Sequence, residues 1–411
     1  MSDRDLGLED ISLRLIYNHR GEPTLEADVR VAGCLGRAAA PSGASRGLHE
    51  LPPFPEGGPH AALALLPRLK EELLGVNAAD QLELMSALER VGFVGGALAY
   101  AITLAAADAV SKARGQSLYQ VLSGPGVEAA LPIPLGNIVG GGRHAFSKRL
   151  DLQEVLVAPK GARDFREAVS LLFSVHSKVG ELLARRDPCF TGGRGDEGAW
   201  TTGLDAQGVL ELAREAVDQV ADESGVELLL GVDFAASSLW DKGKGAYVYK
   251  REGVERDAGQ QLEYVQELSE RYGLEYLEDP FHEEAWEHFS ALSRRLDKAL
   301  VCADDLTATD RARLERAAKE KAARAAVLKV NQVGYLYRAL EFASAARAHG
   351  IALVCSHRSG EVPEAHLAHV AVATGSSFIK AGIFGGERVA KLNELLRISE
   401  LAGLRLRRPW A

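Results

Sequence analysis

Three acidic residues, Asp233, Glu278 and Asp304, each close a short apolar run, and the next such run holds a lysine in Val327-Leu328-Lys329-Val330. Carboxylates brought together repel one another unless a cation lies between them, and hard oxygen donors of this kind suit Mg²⁺. A buried ammonium is costly, so Lys329 must be paired or functional. Beside a divalent cation its pKa falls, which suits a general base. A lysine that only neutralises the acids is the competing reading. The following run ends in Ser356-His357-Arg358-Ser359 and the last in Lys380. A guanidinium matches the fork of a phosphate or carboxylate, so an anionic substrate is expected. Two further acids stand in turn-like contexts, Gln153-Glu154 and Gly195-Asp196-Glu197-Gly198, and Glu197 between its glycines suits a general acid. Singly, any of these acids could be a helix cap or a surface ion pair, which is the reading given to Asp279, Asp305 and Asp310. Together they describe Mg²⁺-assisted removal of a proton beside a carboxylate, with Lys329 as base and an acid opposite.

Such residues need a scaffold that brings strand ends together, and the chain carries its period. Taking Glu278, Asp304, Lys329, Cys355 and Lys380 as markers, the steps are 26, 25, 26 and 25 residues. That length fits a strand, a helix and two loops. Runs at 227–233, 274–278, 300–304, 326–330, 351–356 and 377–380 then open six βα units, with an insertion at 240–252. Two more runs, 133–139 and 152–158, are joined by a connection too short for a crossover, so they are expected to pair antiparallel. Helices near 164–185 and 206–222 follow. The sum is an α/β fold, an eight-stranded barrel of ββαα(βα)6 type, whose active site is expected at the C-terminal strand ends. Ahead of it, β-rich runs at 11–17 and 24–31 and helical patterns near 59–74, 79–91 and 95–114 indicate a smaller α+β domain. The expected division is 1–126 and 127–411, at Gly124-Pro125-Gly126.

Composition narrows the class. The 411 residues carry 48 Lys plus Arg against 57 Asp plus Glu, a net charge of −9 that argues against a nucleic-acid partner. No apolar run reaches the ~18 residues of a membrane span, and the polar start is unlike a signal peptide. Cys34, Cys189, Cys302 and Cys355 form no CxxC pair, so a reduced, cytoplasmic enzyme without zinc or disulfides is expected.

Read in order, the segments resemble the enolase family almost end to end. The resemblance is carried by Ser42-Gly43-Ala44-Ser45-Arg46-Gly47-Leu48-His49-Glu50, Gly141-Gly142-Arg143-His144, Leu152-Gln153-Glu154 and Gly195-Asp196-Glu197-Gly198. It continues through Leu277-Glu278-Asp279-Pro280-Phe281, Asp304-Asp305-Leu306-Thr307, Leu328-Lys329-Val330-Asn331-Gln332, Ser356-His357-Arg358-Ser359-Gly360-Glu361 and Ala390-Lys391-Leu392-Asn393-Glu394. It implies reversible dehydration of 2-phosphoglycerate to phosphoenolpyruvate in glycolysis and gluconeogenesis, two Mg²⁺ per site, and a homodimer or higher homo-oligomer. By motif position, Asp233, Glu278 and Asp304 would hold the first Mg²⁺, and Ser45 would join the second, which arrives with substrate. Lys329 would take the C2 proton, Lys380 would offset charge on the carboxylate, and Glu197 would protonate the departing hydroxyl with Glu154 beside it. Arg358 and Ser359 would grip the phosphate while His144 and His357 line the pocket.

The chain departs from the family pattern at Asn18-His19, at Arg46 (read as lying in solvent), at Ala199-Trp200, at His369 and at Ile383-Phe384-Gly385-Gly386. None removes an expected catalytic group. Two other readings stay open on the residues: a related dehydratase or racemase of unphosphorylated acids, against which Arg358-Ser359 speaks, and a paralogue kept for binding alone.

Overall fold

The computed structural model describes residues 6–43, 46–144 and 150–408. Strands β1 (Leu8–Tyr17), β2 (Pro23–Val31) and β3 (Cys34–Ala39) form an antiparallel sheet in that order. The helix Gly96–Arg114 packs on this sheet and is buried nearly all round, as its alanine-rich apolar sequence requires. The third strand was not legible in the sequence because Cys-Leu-Gly-Arg-Ala-Ala has little β-branched character. Its small residues serve contact instead: a Cβ at Gly36 would lie 2.0 Å from the carbonyl oxygen of Ala105. The helix expected at 59–74 is broken into Gly58–Leu63 and Leu66–Leu73. Pro67 sits in the first turn of the second piece, where a missing N–H costs nothing, and its ring would clash within a continuous helix.

Eight strands close the barrel, in the spatial order β4 (Ile133–Gly140), β5 (Glu154–Ala158), β6 (Leu229–Asp233), β10 (Leu274–Glu278), β11 (Leu300–Ala303), β12 (Ala325–Leu328), β13 (Ala352–Ser356) and β14 (Phe378–Lys380). The insertion is a small sheet of β7 (Trp240–Asp241), β8 (Ala246–Tyr249) and β9 (Val254–Arg256). β5 runs antiparallel to both neighbours, and every other barrel pair is parallel. Helices Phe165–Arg186 and Ala206–Ser224 separate β5 from β6, so the order is the ββαα(βα)6 read from the period. β4, β5 and β6 bury every residue, as strands covered on both faces must. The helices start on side-chain caps: Asp164, Asp205, Asp257 and Asp310 each accept a backbone N–H, worth about 1 kcal/mol apiece. Asp310 thus has the ordinary role expected of it.

The two parts meet at the barrel mouth. Ser42 and Gly360 exchange two backbone hydrogen bonds of 2.7 Å, and the Leu51 N–H donates to the Gln332 carbonyl at 2.8 Å. The first part therefore brings Ser42 and Leu51 against the segments that follow the strand ends.

Candidate active site

The antiparallel β5 decides the composition of the mouth. Because it runs backwards, its first residue, Glu154, lies beside Asp233 and Gly140, the last residues of β6 and β4. Glu278 ends β10 directly opposite Asp233, and Ser356 ends β13 opposite Lys380. Asp304 and Lys329 each stand one residue past their strands, which end at Ala303 and Leu328. A cleft of about 490 Å³ opens among these residues, bounded also by His144, Glu197, His357 and Arg358.

One half of the cleft is built of acids and lysines. Lys380 Nζ lies 3.0 Å from Asp233 Oδ2, 2.8 Å from Glu278 Oε1 and 3.1 Å from Glu154 Oε2. Burial would depress its pKa, but these carboxylates raise it well above the usual lysine range. Lys329 Nζ pairs with Asp304 Oδ2. Here too burial opposes the charge and the carboxylate overcomes it, so the Lys329 pKa is raised. Asp304 is paired with the ammonium itself. Asp304 is correspondingly held below the carboxylate range: burial would raise it, and Lys329 more than compensates. Glu278 is pushed well up by burial and then by Asp233, and it accepts the Tyr276 hydroxyl at 2.6 Å.

Asp279 is not the surface acid expected. It is buried, and its two oxygens accept the backbone N–H groups of Asp304 at 2.9 Å and Asp305 at 2.7 Å. Asp279, Asp304 and Asp305 offer oxygens all within 4.8 Å of one another. Burial and Asp304 together raise Asp305 to about 8.

The other half pairs two glutamates with two histidines. His144 Nδ1 is 3.2 Å from Glu154 Oε1 and 3.6 Å from Glu197 Oε1, and His357 Nε2 is 3.2 Å from the same Glu197 oxygen. The Asn137 amide donates to the second Glu197 oxygen at 3.2 Å. The two glutamates diverge. Burial and then Glu197 raise Glu154, whereas the histidines outweigh burial and bring Glu197 well down. His144 Nδ1, Glu154 Oε2 and His357 Nε2 are buried at these charged contacts, Glu154 Oε2 facing Lys380.

Arg358 closes one end. Its guanidinium donates to Glu50 Oε2 at 3.0 Å and Asn331 Oδ1 at 3.1 Å, and Ser359 beside it is buried. Gln332 ties this end to the acids, donating to Glu50 Oε1 at 3.3 Å and Asp304 Oδ1 at 3.0 Å. Glu50, Asn331 and Gln332 lie within segments whose resemblance was recognised, yet no spacing rule assigned them a partner. Ser45 lies outside the described residues.

Two departures from the family pattern meet behind Glu197. Trp200 stacks on His176, Phe384 lies tilted against it, and the Arg194 guanidinium lies over the Trp200 and Phe384 rings at 4.7 and 4.3 Å. Burial lowers His176 to about 4, so its neutral Nε2–H donates to the Gly198 carbonyl at 2.9 Å. Gly198 has φ +75°, and a Cβ there would come 2.4 Å from the Phe384 carbonyl. Arg46 is exposed.

The donor set fits a hard divalent cation. Five carboxylates, Asp233, Glu278, Asp279, Asp304 and Asp305, converge at successive strand ends, and burial holds three of them at raised pKa. Charges so placed call for more positive charge than two lysines bring.

Comparison with known proteins agrees with this geometry. A family model described as "Enolase, C-terminal TIM barrel domain" matches residues 128–406, and one described as "Enolase, N-terminal domain" matches residues 8–122. A relative from Pyrobaculum aerophilum named "Enolase" is 42% identical, covering 96% of this chain and 97% of its own length. Relatives of the same name from Methanothermobacter thermautotrophicus (40%, 96% and 96%) and Haloarcula marismortui (41%, 96% and 99%) match as extensively.

Proposed function

The chain belongs to the enolase family, and on that premise we propose how its cleft performs the family's reaction. That reaction is the reversible dehydration of 2-phosphoglycerate to phosphoenolpyruvate, a hydro-lyase step of glycolysis, and the family uses Mg²⁺.

The observation that supports the assignment of roles is one of opposition. Lys329 and Lys380 lie among the strand-end acids, Glu197 and Glu154 stand with the histidines, and Arg358 bounds the same cleft. Arg358 and Ser359 bind the phosphate, which fixes the carbon skeleton between the two halves. Lys329 Nζ takes the C2 proton. For this it must be a neutral amine, whereas its contact with Asp304 favours the ammonium, so the base is armed only when that carboxylate is engaged elsewhere. The C–H electron pair moves onto the substrate carboxylate, and Lys380 faces the second negative charge that gathers there. Glu197, which its histidines hold well below the carboxylate range, must first take up a proton; it then delivers that proton to the C3 hydroxyl, which leaves as water as the C2–C3 double bond forms. Glu154, whose pKa burial and Glu197 raise, shares that proton or polarises the hydroxyl. His144 and His357 hold the two glutamates in place.

Asp233, Glu278 and Asp304 would hold one Mg²⁺, with Ser45 joining a second that enters with substrate. Bound there, the cation supplies Lewis-acid stabilisation of the charge developing on the substrate carboxylate. The loop between Gly43 and Gly47 would act as the lid that excludes water, next to Glu50 and Leu51, which contact Arg358 and Gln332. We place the protein in the cytoplasm as a homodimer or higher homo-oligomer. All four cysteines are free, and among the described residues no helix is long and apolar enough to cross a membrane.

Conversion of 2-phosphoglycerate by folded, Mg²⁺-saturated protein, followed through phosphoenolpyruvate absorbance, is the expected result. No conversion under those conditions would overturn the reading.

A further inference from the structure

Arg388 is the largest side chain buried completely, at 0% exposure, and no sequence motif drew attention to it. It lies in the first turn of the helix Gly386–Ala402. That is an unfavourable place for a cation: the helix dipole presents its positive end there, and desolvating a guanidinium costs several kcal/mol. Such a residue persists where its donors find partners: Nε lies 3.3 Å from Glu387 Oε1 in an ion pair, and both Nη atoms donate to backbone carbonyls. Nη1 donates to the Arg358 carbonyl at 2.7 Å, and Nη2 donates to the Ser359 carbonyl at 2.7 Å and the Asp196 carbonyl at 3.0 Å. Nη1 also lies 2.7 Å from His357 Nδ1.

These partners belong to separate parts of the cleft. Arg358 and Ser359 are the proposed phosphate grip, and Asp196 immediately precedes the proposed acid, Glu197. His357 reaches Glu197 from the other side. The contact with His357 has a further consequence. A guanidinium only donates, so Nδ1 must accept, and the proton of the neutral ring is left on Nε2. Nε2 is the atom 3.2 Å from Glu197 Oε1. The backbone makes room for this arrangement at Gly382, whose φ is +71° and where a Cβ would meet the Glu197 carbonyl at 2.9 Å and the Arg388 stem at 3.2 Å.

We propose that Arg388 is a positioning residue for the dehydration: one buried guanidinium sets the spacing between phosphate grip and acid, and fixes His357 as the tautomer that donates to Glu197. The proposal rests on the roles given above to Glu197, Arg358 and Ser359. It predicts a split effect, since one residue governs both substrate placement and delivery of the proton.

Two measurements test it. In the intact wild-type protein, ¹⁵N chemical shifts of His357 should show a protonated Nε2 and a bare Nδ1 near neutral pH. A ring protonated at Nδ1 would overturn the proposal. Arg388→Lys keeps the charge but has too short a fork to serve all four acceptors. It should lower kcat on the order of 10²-fold and raise KM for 2-phosphoglycerate, with part of the His357 signal moving to the other tautomer. A folded Arg388→Lys enzyme with wild-type kcat and KM would also overturn it. Should that variant fail to fold, the wild-type tautomer still decides. If wild-type protein does not turn over 2-phosphoglycerate, the reading of the cleft fails, while the His357 shifts still report on the Arg388 contact.

Discussion

The two halves of the cleft solve the problem of buried charge in different ways. Around Asp233, Glu278 and Asp304, Lys329 pairs with Asp304 and Lys380 is shared by Asp233, Glu278 and Glu154, and the acids Glu278, Asp279 and Asp305 are left at raised pKa. Around Glu197 there is no lysine contact among the described residues; two imidazoles and an amide do the stabilising. The first arrangement can exchange one cation for another. The second sets two neighbouring carboxyl groups apart in proton affinity, Glu154 raised and Glu197 lowered.

The sharpest way to break the comparison is to disable one side at a time. Lys329→Ala and Glu197→Gln should each cut turnover by about 10²–10⁴-fold. Only Lys329→Ala should also abolish exchange of the C2 hydrogen with deuterated solvent, because Glu197 acts after that bond has broken. Equal loss of exchange in both variants would dissolve the division of labour.

A smaller effect is expected one layer behind the acids. Tyr276→Phe deletes the hydroxyl that donates to Glu278 and should weaken Mg²⁺ binding by about 10–100-fold in calorimetry. Unchanged affinity would mean that Glu278 needs no orienting partner or holds no metal.

The smallest prediction concerns a carboxyl outside the cleft, and it sharpens what burial alone does. Glu252, on the insertion, is raised to about 7 by burial and then by Asp151, which together outweigh the opposing charge of Arg256. A raised carboxyl keeps its proton longer in the folded state, so the folded chain binds more protons between pH 4.5 and 7. Stability contributed by the neutral form is therefore present below that window and lost as pH rises through it. Glu252→Gln should melt slightly above wild type at pH 8 and alongside it at pH 4.5. An equal shift at both values would exclude titration as the cause.

The outline of the barrel was legible because its cause is local. A strand that must be apolar on both faces, followed by a helix, recurs at nearly constant length, and the polar residue closing each run falls at the mouth. The same logic located Asp233, Glu278, Asp304, Lys329 and Lys380. The period was silent on β3, whose alanines and glycine are chosen for a helix lying on them. It also missed the break at Pro67, where proline chemistry overrode a regular leucine spacing. Asp279 was misread as a surface acid since its partners are backbone N–H groups 25 and 26 residues onward. Arg388 escaped notice because, apart from its neighbour Glu387, its partners are distant along the chain: Asp196 is 192 residues away.

Sequence by itself determined the kinds of groups available and the strand ends that carry them, because hydrophobic period and side-chain chemistry are properties of short segments. Tertiary structure alone decided who faces whom. The reversed β5 set Glu154 against Asp233, and Lys329 took Asp304 as its counter-ion. Arg388 joined Arg358 and Ser359 to Asp196. Those pairings follow from barrel closure, and electrostatic energy depends on distances that only closure defines.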